Sequence, residues 1–474
     1  MNSKRLVKFL PATIAVALFG AALVLAGCSS GTGMGSTTTT TTTETGPSFV
    51  IGTDAPMASV VSFSVQLQSV TATDSSGNSV SLIGGAPTVD FARFNGLQTL
   101  LDMNDVNAGT YSNISVTLGS GTIGYLQMQA GSAPAIATMP VTYPNGASTY
   151  TYTATLANPI VAAQNGTPAG LHLDFDLRKS IGVDGTGAIT GDVTPTFNAN
   201  GVSNSDPGAY IDCFDAAVVS VNAAAQNFVV LGPHGRQFTI NVSGQTEWEN
   251  NEGLSNLTTS SIVTLSGTLD RADATIDADD VAILSQDGFY AGGQITYVNP
   301  ASGPASNFDL YVRGLLPTTT GLTLGQIATV DLSGNEKFFI YWFHNPLTEF
   351  VFNPSGLLPG QHVSVGGPAT GATNAQDVTV KRVVLRDWGF NGTVVANSAS
   401  AGSGTFQMQI SGFAGLLVPQ TVTVYTAGKT GFRDGLTGVG DLTNGQNVRV
   451  VGLLIKNPLD NSTVLLAHYV DNLN

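Results

Sequence analysis

The stretch LTNGQNVRVVG, residues 442–452, has two earlier counterparts in the chain, LTTSSIVTLSG at 257–267 and LLPGQHVSVGG at 357–367. Each opens on Leu, places apolar residues at offsets six and eight, and closes on Gly at offset ten; the last two also share Gly-Gln. Such alternation marks a strand with one buried face. Thr246-Glu247-Trp248, Thr348-Glu349-Phe350 and Thr430-Gly431-Phe432 precede the closing glycines by 21, 19 and 22 residues. Each unit also begins on a similar strand, AAVVSVN from 216, GGQITYVN from 292 and NGTVVANS from 391. Landmarks in the same order predict three copies of one module. Their period is too long and irregular for a solenoid, so they read as three small antiparallel β-barrels in tandem, over 211–286, 287–387 and 388–474.

Upstream, FSVQLQSVTAT puts Phe63, Val65 and Leu67 on one face, and TYTYTATL does the same with Tyr150, Tyr152, Ala154 and Leu156. LHLDFDL repeats the pattern with Leu171, Leu173, Phe175 and Leu177. Short alternating strands with turns such as DSSGNS between them predict an antiparallel β-sandwich over 49–193. Only FNGLQTLLDM, residues 94–103, has the pattern for a helical turn or two. The segment 194–210, rich in Asn, Pro and Gly, reads as a linker. The fold class is therefore all-β.

FVIGTDAPM at 49–57, LQTLLDMNDVNAGTYSNISVTL at 97–118 and LDFDLRKS at 173–180 resemble a domain of unknown function found behind bacterial lipoprotein signals. The resemblance implies a secreted β-sandwich with no assigned activity. Within it Thr53-Asp54-Ala55-Pro56 is a candidate ligand site, although Asp before Ala-Pro also simply closes a turn at a strand end. The three later copies resemble a second uncharacterised bacterial family of small barrel repeats, similar in appearance to oligonucleotide- and oligosaccharide-binding barrels. Such a likeness assigns no ligand.

The N-terminus carries Lys4, Arg5 and Lys8, then an apolar run from Phe9 to Leu25 and small residues before Cys28. A basic start, an apolar centre and an immediate return to polar sequence mark a secretory signal rather than a spanning helix. Leu25-Ala26-Gly27-Cys28 resembles the lipobox of bacterial lipoproteins, which implies a signal over 1–28 and membrane lipid attached at Cys28. Several acyl chains at ~0.8 kcal/mol per buried methylene anchor a protein stably. Residues 29–48, SSGTGMGSTTTTTTTETGPS, have no hydrophobic periodicity and read as a flexible tether. Ser29 rather than Asp after the lipid site implies the outer membrane in a two-membrane bacterium, and the cell envelope in any case.

The formal charge is −15, and removing the leader's three cations leaves 14 basic against 32 acidic residues. A field of that sign repels phosphate backbones and argues against nucleic acid as a partner. Cys213, the second of two cysteines, reads as a buried small hydrophobe. His172, His234, His344, His362 and His468 show no metal-ligand spacing, and no Gly-x-Ser-x-Gly occurs. The acidic run 270–280 lacks the Gly and terminal Glu of a helix-loop-helix calcium site, and AGKT at 427–430 lacks the leading Gly of a phosphate loop and reads as a hairpin. No catalytic constellation, metal site or cofactor is read. The sequence points to a non-catalytic binding or structural module, with a hydrolase of cell-surface polymers or a docking subunit of an envelope assembly as the competing readings.

One contact surface is suggested by comparing the copies. Counting back from the landmark Thr, the inward residues are Phe238, Ile240 and Val242 in the first copy and Val422, Val424 and Thr426 in the third. The opposite face carries Gln237, Thr239 and Asn241, then Thr421, Thr423 and Tyr425. In the second copy the same count gives Phe339, Tyr341 and Phe343 on that outer face. Three aromatics of about 150–250 Å² each need cover. Either a neighbouring domain or loop supplies it, or the row is a stacking platform for glycan rings or a partner protein.

Overall fold

The computed structural model describes residues 45–473 apart from 56–59, 128–134, 165, 186–187, 233–234, 272–273, 318–320, 342–349, 369–377 and 411–419. Cys28, the leader and the tether through residue 44 lie outside the described residues. The protein is all-β: strands run throughout, and Leu177–Ser180 is the single α-helix among the described residues.

The sandwich has one four-stranded sheet in the order Phe197–Ser203, Ala169–Asp176, Thr45–Ala55, Thr99–Asn107. Facing it is a sheet built on the long strands Val60–Asp74 and Gly109–Gln127. Between them Phe175 stacks on Phe63 and Phe91, at 4.9 and 5.0 Å between ring centroids, and meets the edge of Phe197 at 4.6 Å. Three sequence expectations change here. Residues 194–210 are not a linker, because Phe197–Ser203 pairs antiparallel with Ala169–Phe175 and Phe197 is buried in the aromatic cluster. The sheet is mixed, since Ser48–Ala55 runs parallel to Ala169–Asp176. The helical pattern of LQTLLDM belongs instead to a strand paired with Thr45–Gly52.

That last difference has a plain cause. Leu101 and Val106 enter the sandwich core, while Leu100 and Met103, with Phe49 and Ile51, enter the core of the first barrel. A strand buried on both faces loses its period of two and imitates a helix in sequence.

The sheets that follow span Ile211–Ser285, Phe289–Arg386 and Trp388–Asn472. The third is a closed five-stranded barrel, and the first closes through the parallel pairing of Thr239–Asn241 with Thr275–Asp277; the second repeats the first's strand order, but, against the expectation of three closed barrels, no closing pair occurs among its described residues. Register aligns the copies residue by residue. Val263, Val363 and Val448 are equivalent, as are the closing Gly267, Gly367 and Gly452. A Cβ at those glycines would stand 2.1, 2.1 and 1.9 Å from the carbonyl oxygens of Asp277, Thr379 and Leu466, so close backbone approach requires Gly there. The landmark Thr246 and Thr430 each accept a backbone N–H three residues earlier and donate to a carbonyl of the parallel strand at 2.7 Å. Ala427–Thr430 is accordingly a bend within the strand Gln420–Arg433 rather than a hairpin.

The second copy overturns the landmark count. Trp248 pairs with Val281, Phe338 with Val383 and Phe432 with Val470, and each lies eight residues after an inward residue, Ile240, Val330 and Val424. The landmark aromatic of the second copy is therefore Phe338, not Phe350, and Glu336 replaces the landmark Thr, accepting the Ser333 N–H. Extra residues follow the landmark instead of preceding it. Phe350 and Phe352 return to pack in the second barrel's core.

Phe339 and Tyr341 thus belong to the segment after the landmark, and they do not form an exposed row. Tyr341 is 2% exposed, covered by Ile262, Ala282 and Leu284 of the first barrel. Phe339 is partly buried in the same seam beneath the Arg382 guanidinium, at 4.2 Å. Phe343 lies outside the described residues. The cover comes from a neighbouring barrel because this aromatic surface is the interface itself.

An ion pair crosses that seam. Arg386 of the second barrel donates to both carboxylate oxygens of Asp215 in the first, at 2.9 and 3.0 Å, and to Thr264 Oγ1 at 3.0 Å. The Tyr290 hydroxyl donates to the same carboxylate at 2.8 Å. Burial acts to raise the Asp215 pKa, but Arg386 outweighs it and holds the group well below the usual carboxylate range. Nearby, Arg382 pairs with Glu252.

Asp280, 1% exposed, is different: neither oxygen has a hydrogen-bond partner among the described residues. Burial first, then the charges of Glu247, Asp387 and Asp279, push it up to about 8.

Replacing Arg386 by Met leaves Asp215 as a buried uncompensated charge and is expected to cost about 3–5 kcal/mol in urea unfolding. Asp280 holds a proton in the folded state that the unfolded chain has already lost, so its stabilising contribution is complete below about pH 4 and disappears as pH rises through about 8. Melting temperatures followed from pH 5 to 9 should fall for the wild type and stay flatter for Asp280→Asn, leaving the variant more stable at pH 9.

Candidate ligand-binding cleft

A cleft of about 480 Å³ opens where the sandwich, the segment entering the first barrel and the third barrel meet. The end of strand Thr45–Ala55 brings Thr53, and the parallel strand beside it brings His172. Gln98 and Asp212 face each other in a clip: each backbone N–H reaches the other residue, Asp212 N to Gln98 O at 2.9 Å and Gln98 N to Asp212 Oδ2 at 2.8 Å. The third barrel supplies Arg433, Arg449, Tyr469 and Asp471.

Strand register explains that last group. Asp471 pairs with Arg449 on one side and Arg433 on the other, so one carboxylate sits between two guanidinium-bearing positions. Arg433 Nε lies 3.6 Å from Asp471 Oδ1, and its guanidinium carbon is 3.4 Å from the Tyr469 ring centroid. Gly96, at φ +90°, lets Arg449 pass, since a Cβ there would fall 2.7 Å from Cδ and Nη1 of that side chain.

Burial dominates the electrostatics. It raises Asp212 against the pull of Arg433, and raises Asp471 against Arg433 and Arg449. Tyr210 and Tyr469 are raised for the same reason, and burial lowers His172, which is neutral at pH 7. Three buried polar atoms on the wall, Gln98 Oε1, Arg449 Nε and Asp471 Oδ1, lack a hydrogen-bond partner among the described residues.

Of the residues singled out in the sequence, Thr53 reaches this cleft, while Phe339 and Tyr341 are in the seam between the first two barrels. Cys213 is partly buried, its thiol pushed up to about 12 by burial and then by the charge of Asp215. In the acidic run, Asp277 accepts from Asn241 Nδ2 at 2.9 Å while Asp280 is buried, and no group of three metal-ligating side chains occurs among the described residues. The cleft residues of the third barrel were missed, though the repeats contain their signal. Thr264, Ser364 and Arg449 are equivalent by register, as are Ala282, Val384 and Asp471. The face that carries small or apolar residues in two copies carries an Arg–Asp pair in the third.

Residues 50–190 match a protein family described as Domain of unknown function (DUF4382). No curated protein matches the chain. The sandwich therefore carries a domain of unknown function, and the cleft lies partly on it.

Substituting Gly96 by Ala forces a side chain into a left-handed backbone position against Arg449, so stability should drop by about 1 kcal/mol or more. Chemical denaturation measures it.

Proposed function

We propose that the protein is a lipoprotein of the bacterial cell envelope, held by acylated Cys28, whose folded units bind a polar ligand in the cleft without catalysing a reaction. The observation that carries the binding reading is the cleft itself, about 480 Å³ and lined by the donors and acceptors of Gln98, Asp212, Arg433, Arg449 and Asp471. A neutral, hydroxyl-rich molecule satisfies both kinds at once, and an envelope glycan has that chemistry. Arg433 is already engaged with Asp471 and Tyr469, which leaves Arg449 and Gln98 as the first contacts. Ser29 directs the reading to the outer membrane where a cell has two. Docking onto another envelope protein is the alternative use of the same surface.

A second reading has one observation in its favour. Asp212 and Asp471 line a single cleft and both are raised by burial, the state a general acid needs. A glycoside hydrolase would use them together.

Glycan-array capture with the full-length chain separates these uses. Arg449→Ala is expected to lower capture at least tenfold, and unchanged capture would remove the cleft from the proposal. Asp212→Asn should leave bound glycan intact under the binding reading; wild-type cleavage abolished by that change would establish the hydrolase instead. Radiolabelled palmitate is expected to enter the wild type and not Cys28→Ala, and equal labelling would refute the anchor.

A further inference from the structure

A second cavity, of about 340 Å³, lies where the sandwich meets the first two barrels. This is at the small end of the ~300–1,000 Å³ range of small-molecule sites, which favour such junctions and are mostly apolar with a few polar groups. Its wall has that makeup: Phe94 and Leu100 from the sandwich, Phe214 and Leu231 from the first barrel, and Leu324 from the second. Leu231 and Leu324 are 44% and 58% exposed, so two large aliphatic side chains stand in water at its margin.

The lining holds Asp90, Asp215, Arg93 and Arg313, and Arg386, which does not line the cavity, engages Asp215, so three cations meet two carboxylates. Asp215 is matched by Arg386 in the bidentate pair already described. Asp90 lies 3.7 Å from Arg313 Nε and accepts the Phe63 N–H at 2.8 Å. Arg93 remains. Among the described residues it makes no hydrogen bond or ion pair, and its guanidinium carbon lies 5.5 Å from the Phe94 ring centroid. Its charge acts on Asp215, which Arg386 already holds in a bidentate pair, so one positive charge is in excess, in a chain of net charge −15, and an anion would relieve it. Guanidinium meets carboxylate with two parallel hydrogen bonds. One unmatched positive charge calls for one negative charge, and the leucines call for hydrocarbon.

We propose that this cavity binds a small monoanionic amphiphile, a medium-chain carboxylate, with the Arg93 guanidinium holding the carboxylate and Leu231 and Leu324 covering the chain. This site shares no lining residue with the glycan cleft and does not depend on that reading.

Isothermal titration of the full-length chain with octanoate, below the concentration at which octanoate forms micelles, tests it. Saturable one-to-one binding is expected, weakened at least tenfold in Arg93→Met and severalfold in Leu324→Asp. Acetate, inorganic phosphate and 1-octanol should each bind at least tenfold more weakly than octanoate, because each lacks the chain or the single carboxylate. Leu324 is on an exposed turn, so its variant reports even where Arg93→Met fails to fold. Absence of saturable octanoate binding would overturn the proposal. Equal affinity of the wild type and the folded variants would do the same, as would octanol or phosphate binding as tightly as octanoate.

Discussion

The Arg386 guanidinium, closed between Asp215, Tyr290 and Thr264, joins the first two barrels through a buried pair whose geometry tolerates little displacement. Two charges taken out of water are favourable only when bidentate contact and additional hydrogen bonds replace the lost hydration. That requirement sets the relative position of the two barrels. The first barrel in turn shares its core with the outer face of the sandwich sheet through Phe49, Ile51, Leu100 and Met103. The second cavity has its walls on these three units, so its shape follows from the same pair.

The repeats show how one framework acquires different surfaces. Inside each barrel, equivalent positions keep their character: Trp248, Phe338 and Phe432 follow the inward strand at a constant interval, and the closing glycines stay because no side chain fits. Outside, the equivalent residues Asp280, Arg382 and Tyr469 have diverged into a buried acid, a cation paired with Glu252 and a wall of the cleft. Thr264 meets Arg386 across the seam and Ser364 meets it from within the same unit, whereas Arg449, their counterpart, is directed to the sandwich side. Duplication supplied three similar outer faces. Two of them consumed each other, and the third was left to form a cleft with a different domain.

Polar cost is concentrated at these junctions. Asp280 is buried without a hydrogen bond, and Asp212 and Asp471 are raised by desolvation beside arginines that partly compensate. Cores filled by Phe63, Phe91 and Phe175, or by Val263, Leu265 and Ile276, supply the apolar burial against which such groups persist. The third barrel is fastened further by the Asn95 side-chain amide donating to the Gly389 carbonyl, and by His468 Nδ1 lying 2.8 Å from Asp387 Oδ2.

Alternating apolar residues and repeated glycines were enough to determine an all-β chain with a threefold internal repeat, because period-two patterning and close strand approach are local constraints that leave a mark in every copy. The strand Thr99–Asn107 and the strand Phe197–Ser203 escaped that logic, the first because both its faces are buried and the second because turn-rich composition concealed a Phe whose partners are distant in sequence. The second copy was misaligned because an aromatic pair after Thr348 imitated a landmark that Glu336 and Phe338 occupy. Which aromatic surface is covered, which carboxylate is matched and where a positive charge is left in excess depend on docking between units far apart in the chain. Only the tertiary structure decided those, since burial and the pairing of charges are properties of neighbours in space.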